Sequence, residues 1–288
     1  MINRRTFLKL AGAAALMPWG CAQLGARPSG TLLNDVHSGL NPTTVREVIS
    51  VRSVQDIQRT IERGVREGRG LSVAGGRHAM GAQQFGTDTL HLDMRLSNRV
   101  LNFDSGSGLV EVEAGMQWPE LIQASLTMQT GASKQWGIVQ KQTGADRLSI
   151  GGSLSANIHG RGLRLKPFIG DIESFRLVSA DGKLLTCSRS QNPDLFRLAI
   201  GGYGLFGIVS SVTLRLSPRQ KLQRVVELVR IDDVMQRFEQ RIAEGFLYGD
   251  CQFALDPVSE DFLGRGIFSC YKPVDLATFV AALTEREG

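Results

Sequence analysis

The amino-acid sequence predicts an α+β fold, and two observations support this class. The first is the element order, because a strand–helix–strand unit is followed by hairpins, one helix and a long strand. The second is a set of three glycine-rich loops between those elements, at residues 75–81, 151–160 and 201–207. Glycine lets backbone N–H groups approach a phosphate or a flat ring closely. Three such loops predict one large dinucleotide that is held along its length.

Residues 1–26 are predicted to be a Tat-type export signal and not part of the fold. Arg4 and Arg5 come before an apolar stretch, residues 10–17, which is shorter than the roughly 20 residues of a transmembrane helix. Twin arginines are typical of the Tat class, so we expect the Tat export machinery as a partner and a periplasmic or cell-envelope location. A basic, alanine-rich helix of the domain itself is the alternative interpretation.

Cys21, near the end of this signal, is a candidate site of lipidation. A cysteine that is lipidated at the cleavage point would add association with a membrane. Pro18 and Trp19, however, stand where a lipobox needs a leucine and a small residue. A lipoprotein and a released protein therefore both stay open at this point.

The first folded unit is predicted to begin near residue 45, after a linker over residues 27–44 that is rich in Gly, Pro, Ser and Asn. A strand is expected over residues 47–52. Ser53 then begins a helix, with Asp56 at capping-box spacing. The apolar face of this helix repeats at helical intervals up to Gly68 and contains Val54, Ile57, Ile61 and Val65.

The remaining elements follow in chain order from alternation, turn signals and proline positions. Strands are predicted over residues 71–74, 90–92, 100–104, 109–114, 175–180, 183–188, 208–216 and 225–231. Helices are predicted over residues 118–128, 193–199 and 233–243, the second of them capped by Asn192. We place the boundary of the first domain at residue 218, and residues 219–288 begin a second, incomplete α+β unit.

Composition narrows the classes of function. The net charge of +5 is modest for 288 residues, and Lys and Arg form no long runs, so a nucleic-acid surface is not expected. The cysteines after the signal form no disulfide framework, and cysteines and histidines alike are too scattered for a metal site: Cys187, Cys251, Cys270, His37, His78, His91 and His159.

The third loop has the glycine spacing of a known dinucleotide-binding motif. Gly202, Gly204 and Gly207 match the spacing of the dinucleotide motif, which needs a strand before it and a helix after it. Here the predicted helix comes first and the strand second, so a Rossmann motif is rejected. A tight passage of the backbone, at which Gly207 and Ile208 or Val209 lie against a ring, is the alternative.

The second loop combines glycine with short polar side chains. Such a segment can hold a pyrophosphate with N–H groups and hydroxyls, whereas an ordinary Ser/Gly surface loop is the alternative. The spacing of Ile150, Leu154 and Ile158 favours a short helix with one buried side. The candidate cofactor contacts here are Asp146, Ser149, Gly151, Gly152, Ser153, Ser155 and Asn157.

The first loop carries a histidine, His78, directly after a predicted buried strand. This histidine could be a hydrogen-bonding structural residue. A neutral imidazole is also a competent nucleophile, and in a cofactor loop it could attach to an electrophilic methyl group of a flavin. The candidate contacts in this loop are Gly75, Gly76, Arg77, His78, Ala79, Met80, Gly81 and Gln83.

Taken together, the loops resemble the FAD-binding domain of the vanillyl-alcohol oxidase / p-cresol methylhydroxylase (PCMH-type) superfamily, over residues 40–218. Residues 74–81 are similar to its GRGHS-like loop, with Ala79 where serine is common. Residues 149–155 and 201–208 are similar to its TxGGxLS and GGxGxFGI segments. The resemblance implies FAD, a domain of two α/β subdomains, and the start of a substrate domain at residue 219. It also implies that His78 is a candidate for covalent attachment.

Residues 157–161 are similar to the HGK or HGS element of sugar-oxidising members, the aldonolactone oxidases and decaprenylphosphoryl-ribose oxidase. By this analogy His159 lies near the flavin edge and helps to bind or polarise a substrate, with Gly160 beside it. The resemblance places the catalytic base and most substrate contacts in the second domain.

The resemblance implies an FAD-dependent oxidoreductase that takes a hydride from a CH–OH group of a sugar-like or other alcohol. Oxygen or another electron acceptor would then reoxidise the flavin. An FAD-dependent reductase of a C=C bond stays open. So does a flavin-binding fragment without turnover, because the second unit is short.

Overall fold

The computed structural model describes residues 30–275. The predicted export signal and Cys21 lie outside this range. Within it, five α-helices form: α1 (Val54–Glu67), α2 (Trp118–Met128), α3 (Ile150–Ala156), α4 (Pro193–Ala199) and α5 (Val234–Ala243). Short 3-10 turns cover Met94–Leu96, Phe168–Gly170 and Ile231–Asp233. No described helix is long and apolar enough to cross a membrane.

The strands of the described chain form three sheets and two small ribbons. In chain order they are β1 (Thr31–Leu33), β2 (Thr43–Val45), β3 (Glu47–Ser50), β4 (Leu71–Ala74), β5 (Leu90–Asp93), β6 (Val100–Asp104), β7 (Leu109–Glu113), β8 (Trp136–Gly137), β9 (Ile172–Val178), β10 (Leu184–Ser188), β11 (Ile208–Arg215), β12 (Ser217–Pro218), β13 (Lys221–Arg230), β14 (Tyr248–Phe253) and β15 (Arg265–Val274).

The first sheet is parallel, with strand order β3-β5-β4, and α1 connects two of its strands. Ser53 caps α1 by accepting a hydrogen bond from Asp56 N, and Gly68 ends it in the left-handed region at φ 61°. Ile57 and Ile61 are buried as predicted, but Val65 is 76% exposed. Gly64 occupies the buried position instead, because a Cβ there would come within 2.5 Å of Leu71 Cδ1.

The second sheet is antiparallel, with strand order β10-β9-β11-β7-β6, and it carries the largest core. Both predicted hairpins form, β6 with β7 and β9 with β10. Helices α2, α3 and α4 contribute Trp118, Leu154 and Phe196 to this core. The parallel and antiparallel sheets, each with its helices, are the two subdomains of the α+β domain.

The third sheet, β13-β15-β14, packs α5 on one face. Glu227 on β13 accepts hydrogen bonds from Arg237 and Arg241 on α5, which fixes the helix over the strand. Tyr248 ties the sheet to the preceding domain, since its hydroxyl donates to Val139 O at 2.6 Å. Arg161 and Asp250 add an ion pair of 3.0 Å across the same seam.

Two further local expectations, besides the burial of Val65, differ from the structure. Much of the stretch expected to be a linker is structured, because β1 and β2 pair from Thr31↔Val45 to Leu33↔Thr43. Asn192 does not cap α4 with its side chain. It adopts φ 48°, and its amide donates instead to Thr186 O at 2.7 Å.

Candidate cofactor site

A cavity of about 560 Å³ lies where the end of β4, the first glycine loop, α3 and the third glycine loop meet. Its volume falls within the roughly 300–1,000 Å³ of small-molecule sites. The cavity gathers fourteen of the residues predicted from the sequence: Gly75, Gly76, Arg77, His78, Ala79, Met80, Gln83, Ser149, Gly151, Gly152, Ser153, Ser155, Gly207 and Ile208.

Close packing explains the paired glycines of the first loop. A Cβ on Gly75 would overlap Ser149 Oγ, and a Cβ on Gly76 would overlap the carbonyl oxygen of Arg147. The first loop therefore packs directly against the Ser149 side chain and the Arg147 carbonyl, and any larger residue at either glycine would push these segments apart.

The N-terminus of α3 is already saturated with hydrogen bonds. Ile150 N donates to Met116 O and Gly151 N donates to Ala114 O, both at 2.8 Å. Ser149 Oγ accepts from Gly152 N at 3.3 Å. The second loop was expected to offer such donors to a phosphate, but here they hold α3 against the segment between β7 and α2. Its contribution to the cavity is a close, glycine-lined wall.

The first loop, in contrast, has backbone N–H groups that find no acceptor in the described part of the chain. Among residues 30–275, none of the backbone N–H groups of residues 76–82 donates a hydrogen bond. Arg77 and Ala82 adopt positive φ values of 57° and 61°, so the backbone turns sharply at both ends of this segment. Consecutive N–H groups in such a turn form an anion-binding concavity.

Three buried side-chain atoms along the same loop also lack partners in the described part of the chain. They are Arg77 Nε, His78 Nδ1 and Gln84 Oε1. Buried polar atoms are normally hydrogen-bonded, so these three atoms are available to a polar ligand or to water. The donors of this loop fit an anionic group, and the cavity beyond it fits a large cofactor.

The surroundings of His78 favour its neutral form. Burial lowers its pKa from the ordinary value of 6.5, and the neighbouring His37 lowers it further, while the carbonyl of Arg147 acts in the opposite direction. The centroids of the His37 and His78 rings are 5.8 Å apart. A neutral imidazole at the cavity wall can act as a nucleophile.

The third loop closes the cavity from the side of the second sheet. Gly201 N donates to Leu154 O and Tyr203 N to Ser155 O, both at 3.0 Å, which fastens the loop to α3. The loop passes from α4 into β11, so the order of elements is the one that excluded a Rossmann motif. Ile208 and Val209 both line the cavity, as the tight-passage interpretation predicts.

Five predicted site residues do not line the cavity. Asp146 pairs with Lys141 at 2.5 Å, and Asn157 ends α3 at φ 45° with its Oδ1 accepting from Ile169 N. Gly160 N donates to Gln140 Oε1, and Gly81 lies at the turn before Gln83. His159 is exposed, with Nδ1 3.0 Å from Gly160 O. Its substrate role stays a prediction.

The cavity also contains residues that sequence reasoning missed. His37 reaches it from the stretch expected to be a linker, while Tyr203 and Leu205 stand exposed at its edge. Large apolar side chains within a glycine loop are a sequence signal that could have identified Tyr203 and Leu205. The others are Leu71–Ala74, Gln84, Phe85, Gly86, Met94, Ala114, Gln142, Gly144, Ala145, Leu148, Ala156, Ile158 and Gly204.

Comparison with known proteins agrees with this geometry. The sequence profile of the family described as "FAD binding domain" matches residues 45–188. That range contains the parallel sheet, the first two glycine loops and α3, and it therefore contains the donors described above.

Several curated proteins are similar to the chain. Decaprenylphosphoryl-beta-D-ribose oxidase of Mycolicibacterium smegmatis (strain ATCC 700084 / mc(2)155) is 29% identical over 63% of this chain and 39% of its own length. Cytokinin dehydrogenase 9 of Oryza sativa subsp. japonica is 28% identical over 64% and 36%. Mitochondrial L-galactono-1,4-lactone dehydrogenase 1 of the same rice is 31% identical over 53% and 25%.

The matches thus span two fifths or less of the length of these curated relatives. The profile match and the relatives show that the cofactor of this family is FAD. The size of the cavity and the free donors of the first loop fit such a cofactor. The chain belongs to the PCMH-type FAD-binding flavoprotein family, which includes aldonolactone oxidase-like members.

Proposed function

We propose that this protein is an FAD-dependent oxidoreductase that takes a hydride from a CH–OH group of a sugar-like or other alcohol. The observation that carries the proposal is the first loop, whose backbone donors and buried polar atoms lack partners among the described residues. The names of the relatives, an oxidase and two dehydrogenases, support the reaction class. FAD supplies the redox chemistry, as an acceptor of the hydride and a donor of electrons to oxygen or another acceptor.

Different residues of the chain would contact different parts of FAD. The N–H groups of residues 76–80, which line the cavity, would bind its anionic part. Val73, Met94 and Val209 line the cavity with apolar side chains and would exclude water from it. Gly75 and Gly151 allow the surrounding backbone segments to approach each other closely.

We further propose that His78 attaches FAD covalently. Its imidazole lines the cavity and is uncharged at neutral pH, as a nucleophile must be. The test is an acid precipitation of the purified protein. Flavin absorbance should stay with the precipitate of the natural protein and pass to the supernatant for His78→Ala. Flavin released equally from both would contradict the attachment.

The location and the remaining partners also belong to the proposal. The twin arginines support export by the Tat machinery to the periplasm or cell envelope, and lipidation at Cys21 would add membrane association. Mass spectrometry of the mature N-terminus, isolated from the exporting cell, tests this point. A retained signal with Arg4 and Arg5 would contradict export by this route.

The reaction class is tested by mixing the flavin-loaded protein with alcohols under anaerobic conditions. Bleaching of the flavin spectrum by a sugar-like alcohol or aldonolactone supports the proposal. Two other outcomes contradict it. One is bleaching only by a separate reductant, followed by reoxidation with an unsaturated compound, as expected of a C=C reductase. The other is stable flavin binding with no bleaching by any alcohol.

A further inference from the structure

The segment between β1 and β2, residues 34–41, is called the strap here. It is organised around Asp35, which is only 4% exposed. The Asp35 carboxylate accepts hydrogen bonds from His37 N at 3.1 Å, Ser38 Oγ at 2.9 Å and Asn41 Nδ2 at 3.0 Å. A carboxylate with so many donors is a strong local anchor, and it gives the strap one defined shape.

The strap is fastened to the first glycine loop on both sides of His78. Val36 N donates to Arg77 O at 2.9 Å, and Asn41 Nδ2 donates to Met80 O at 2.5 Å. These two bonds bracket the histidine. The strap therefore determines where the loop, and His78 with it, lies at the cavity wall.

Between those two bonds the strap presents His37 to His78. The ring centroids are 5.8 Å apart and the ring planes are inclined by 66°. Both rings line the FAD cavity. His78 Nδ1 is buried and finds no acceptor in the described part of the chain.

This environment disfavours a charged His78. An imidazolium carries two N–H donors, and one of them would be left buried and unsatisfied. The groups that face His78 are His37 from the strap, with Asp35 behind it, and the carbonyl of Arg147 from the second loop. Arg77 is its neighbour on the loop itself. A positive charge on His78 would be repelled by a positive charge on the neighbouring His37 ring.

We propose that His37 is a positioning residue for His78, which keeps that imidazole uncharged and oriented for bond formation with FAD. This inference rests on the covalent attachment proposed above. In that reaction an N–C bond to His78 replaces one C–H bond of the flavin methyl group. The methyl hydrogen and the imidazole N–H proton are released, and the two electrons of the C–H bond reduce the ring system. Oxygen or another electron acceptor then removes them.

Two variants distinguish an effect of the charge on His37 from an effect of its support of the first loop. His37→Gln keeps a polar side chain of similar size and removes the ability to carry a charge. Leu40→Ala, at an 80% exposed position on the same strap, is the matched control. Circular dichroism and the thermal midpoint of each full-length variant show whether the fold is retained.

The first readout is the titration of His78 by NMR in full-length chain prepared without flavin. The chain has only four histidines, so single His→Gln variants assign their signals. We expect His37→Gln to raise the midpoint of His78 by roughly half a pH unit or more, as expected for loss of a like charge 5.8 Å away. Leu40→Ala should leave the midpoint unchanged. An unchanged midpoint in a folded His37→Gln protein would overturn the inference.

The second readout is the fraction of FAD that resists acid precipitation after incubation at pH 6 and at pH 8. We expect several-fold less attachment in His37→Gln at pH 6, and recovery at pH 8, where His78 is neutral without help. A loss that persists at pH 8 with an unchanged midpoint would indicate support of the loop only and reject the role. If the natural protein attaches no FAD at either pH, the covalent step itself is wrong, and the titration still decides whether His37 controls the charge of His78.

Discussion

At the scale of single residues, the glycines of the first loop are defined by what they touch. Gly75 and Gly76 are required because the backbone and side chains of the second loop occupy the space of a Cβ. The sequence motif marks both positions as candidate cofactor contacts. It could not show that the contact is with Ser149 and Arg147, because those residues are distant in sequence and meet only in the folded chain.

Gly75→Ala should therefore damage the site. The added methyl group would overlap Ser149 Oγ, so the two loops must separate, at a cost of about 1–3 kcal/mol in unfolding free energy. We expect FAD affinity to fall by at least about tenfold, equivalent to about 1.4 kcal/mol. Titration of the purified variants with FAD measures this. Gly137→Ala is the control, since no atom lies within 4 Å of its Cβ position; equal affinities would contradict the packing argument.

His91 gives a residue-scale prediction about pH. It is 1% exposed beneath the first loop, with Nδ1 2.8 Å from Ser72 Oγ, and burial lowers its pKa to about 4. The unfolded chain binds this proton near pH 6.5, so the unfolded state holds more protons between those values. Stability should fall as the pH drops from about 6.5 towards 4, by about 3 kcal/mol from this group.

Urea denaturation of the natural protein and of His91→Gln at pH 7 and pH 4.5 measures the effect. The variant should lose most of this pH dependence, whatever its stability at pH 7. The same decline in both proteins would show that His91 is not the group that titrates.

At the scale of secondary structure, most elements follow from periodicity and caps. The sequence signals of α1, Ser53 at its start and Gly68 at its end, are the ones that the structure uses. Val65 was misassigned because helical spacing alone does not show where a neighbouring strand ends. The helix packs its last turn through Gly64 against Leu71, and Val65 points away to solvent.

This difference predicts two unequal substitutions in α1. Ile61→Ala removes a buried side chain and should cost about 2–5 kcal/mol, whereas Val65→Ala should change stability by no more than about 0.5 kcal/mol. Chemical denaturation of the two variants at one pH gives both values. A cost at residue 65 equal to that at residue 61 would contradict the assigned face of the helix.

At the scale of the whole molecule, the seam between the first domain and the third sheet contains an unusual acid. Asp171 is 9% exposed, its Oδ2 has no partner among residues 30–275, and burial raises its pKa to about 6. Burial raises the pKa of Tyr248, whose hydroxyl donates to Val139 O across the seam, and the charge of Asp171 raises it further. Nothing in the sequence distinguished Asp171, because its burial arises from elements that lie far apart in the chain.

Asp171→Asn should stabilise the protein above pH 6. The folded state holds the proton more tightly than the unfolded state, so wild-type stability declines as the pH rises from about 4 to 6 and stays reduced above it. The variant removes a penalty of up to about 3 kcal/mol, and we expect a gain of roughly 1–3 kcal/mol at pH 7.5. Denaturation at pH 4 and pH 7.5 tests this, with exposed Asp232→Asn as control; a destabilised Asp171→Asn at pH 7.5 would contradict it.

The sequence predicted the class of fold, the two hairpins and the three loops, because these depend on local patterns. It did not predict the strap. It also did not predict that the first loop keeps free N–H donors while those of the second loop hold α3 in place. The hydroxyls and N–H groups of the second loop looked available until Met116 and Ala114 were seen to occupy Ile150 N and Gly151 N. The acceptors of these N–H groups are distant in sequence and approach them only in the folded chain.

The central claim is that the first loop and the cavity behind it hold FAD. The most direct test is a titration of the full-length, folded protein with FAD, followed by flavin absorbance and fluorescence. We predict that a single FAD binds per chain, either already present on purification or taken up on addition, and that Gly75→Ala weakens its uptake. A folded protein that carries no flavin and takes up none at saturating FAD would contradict the claim.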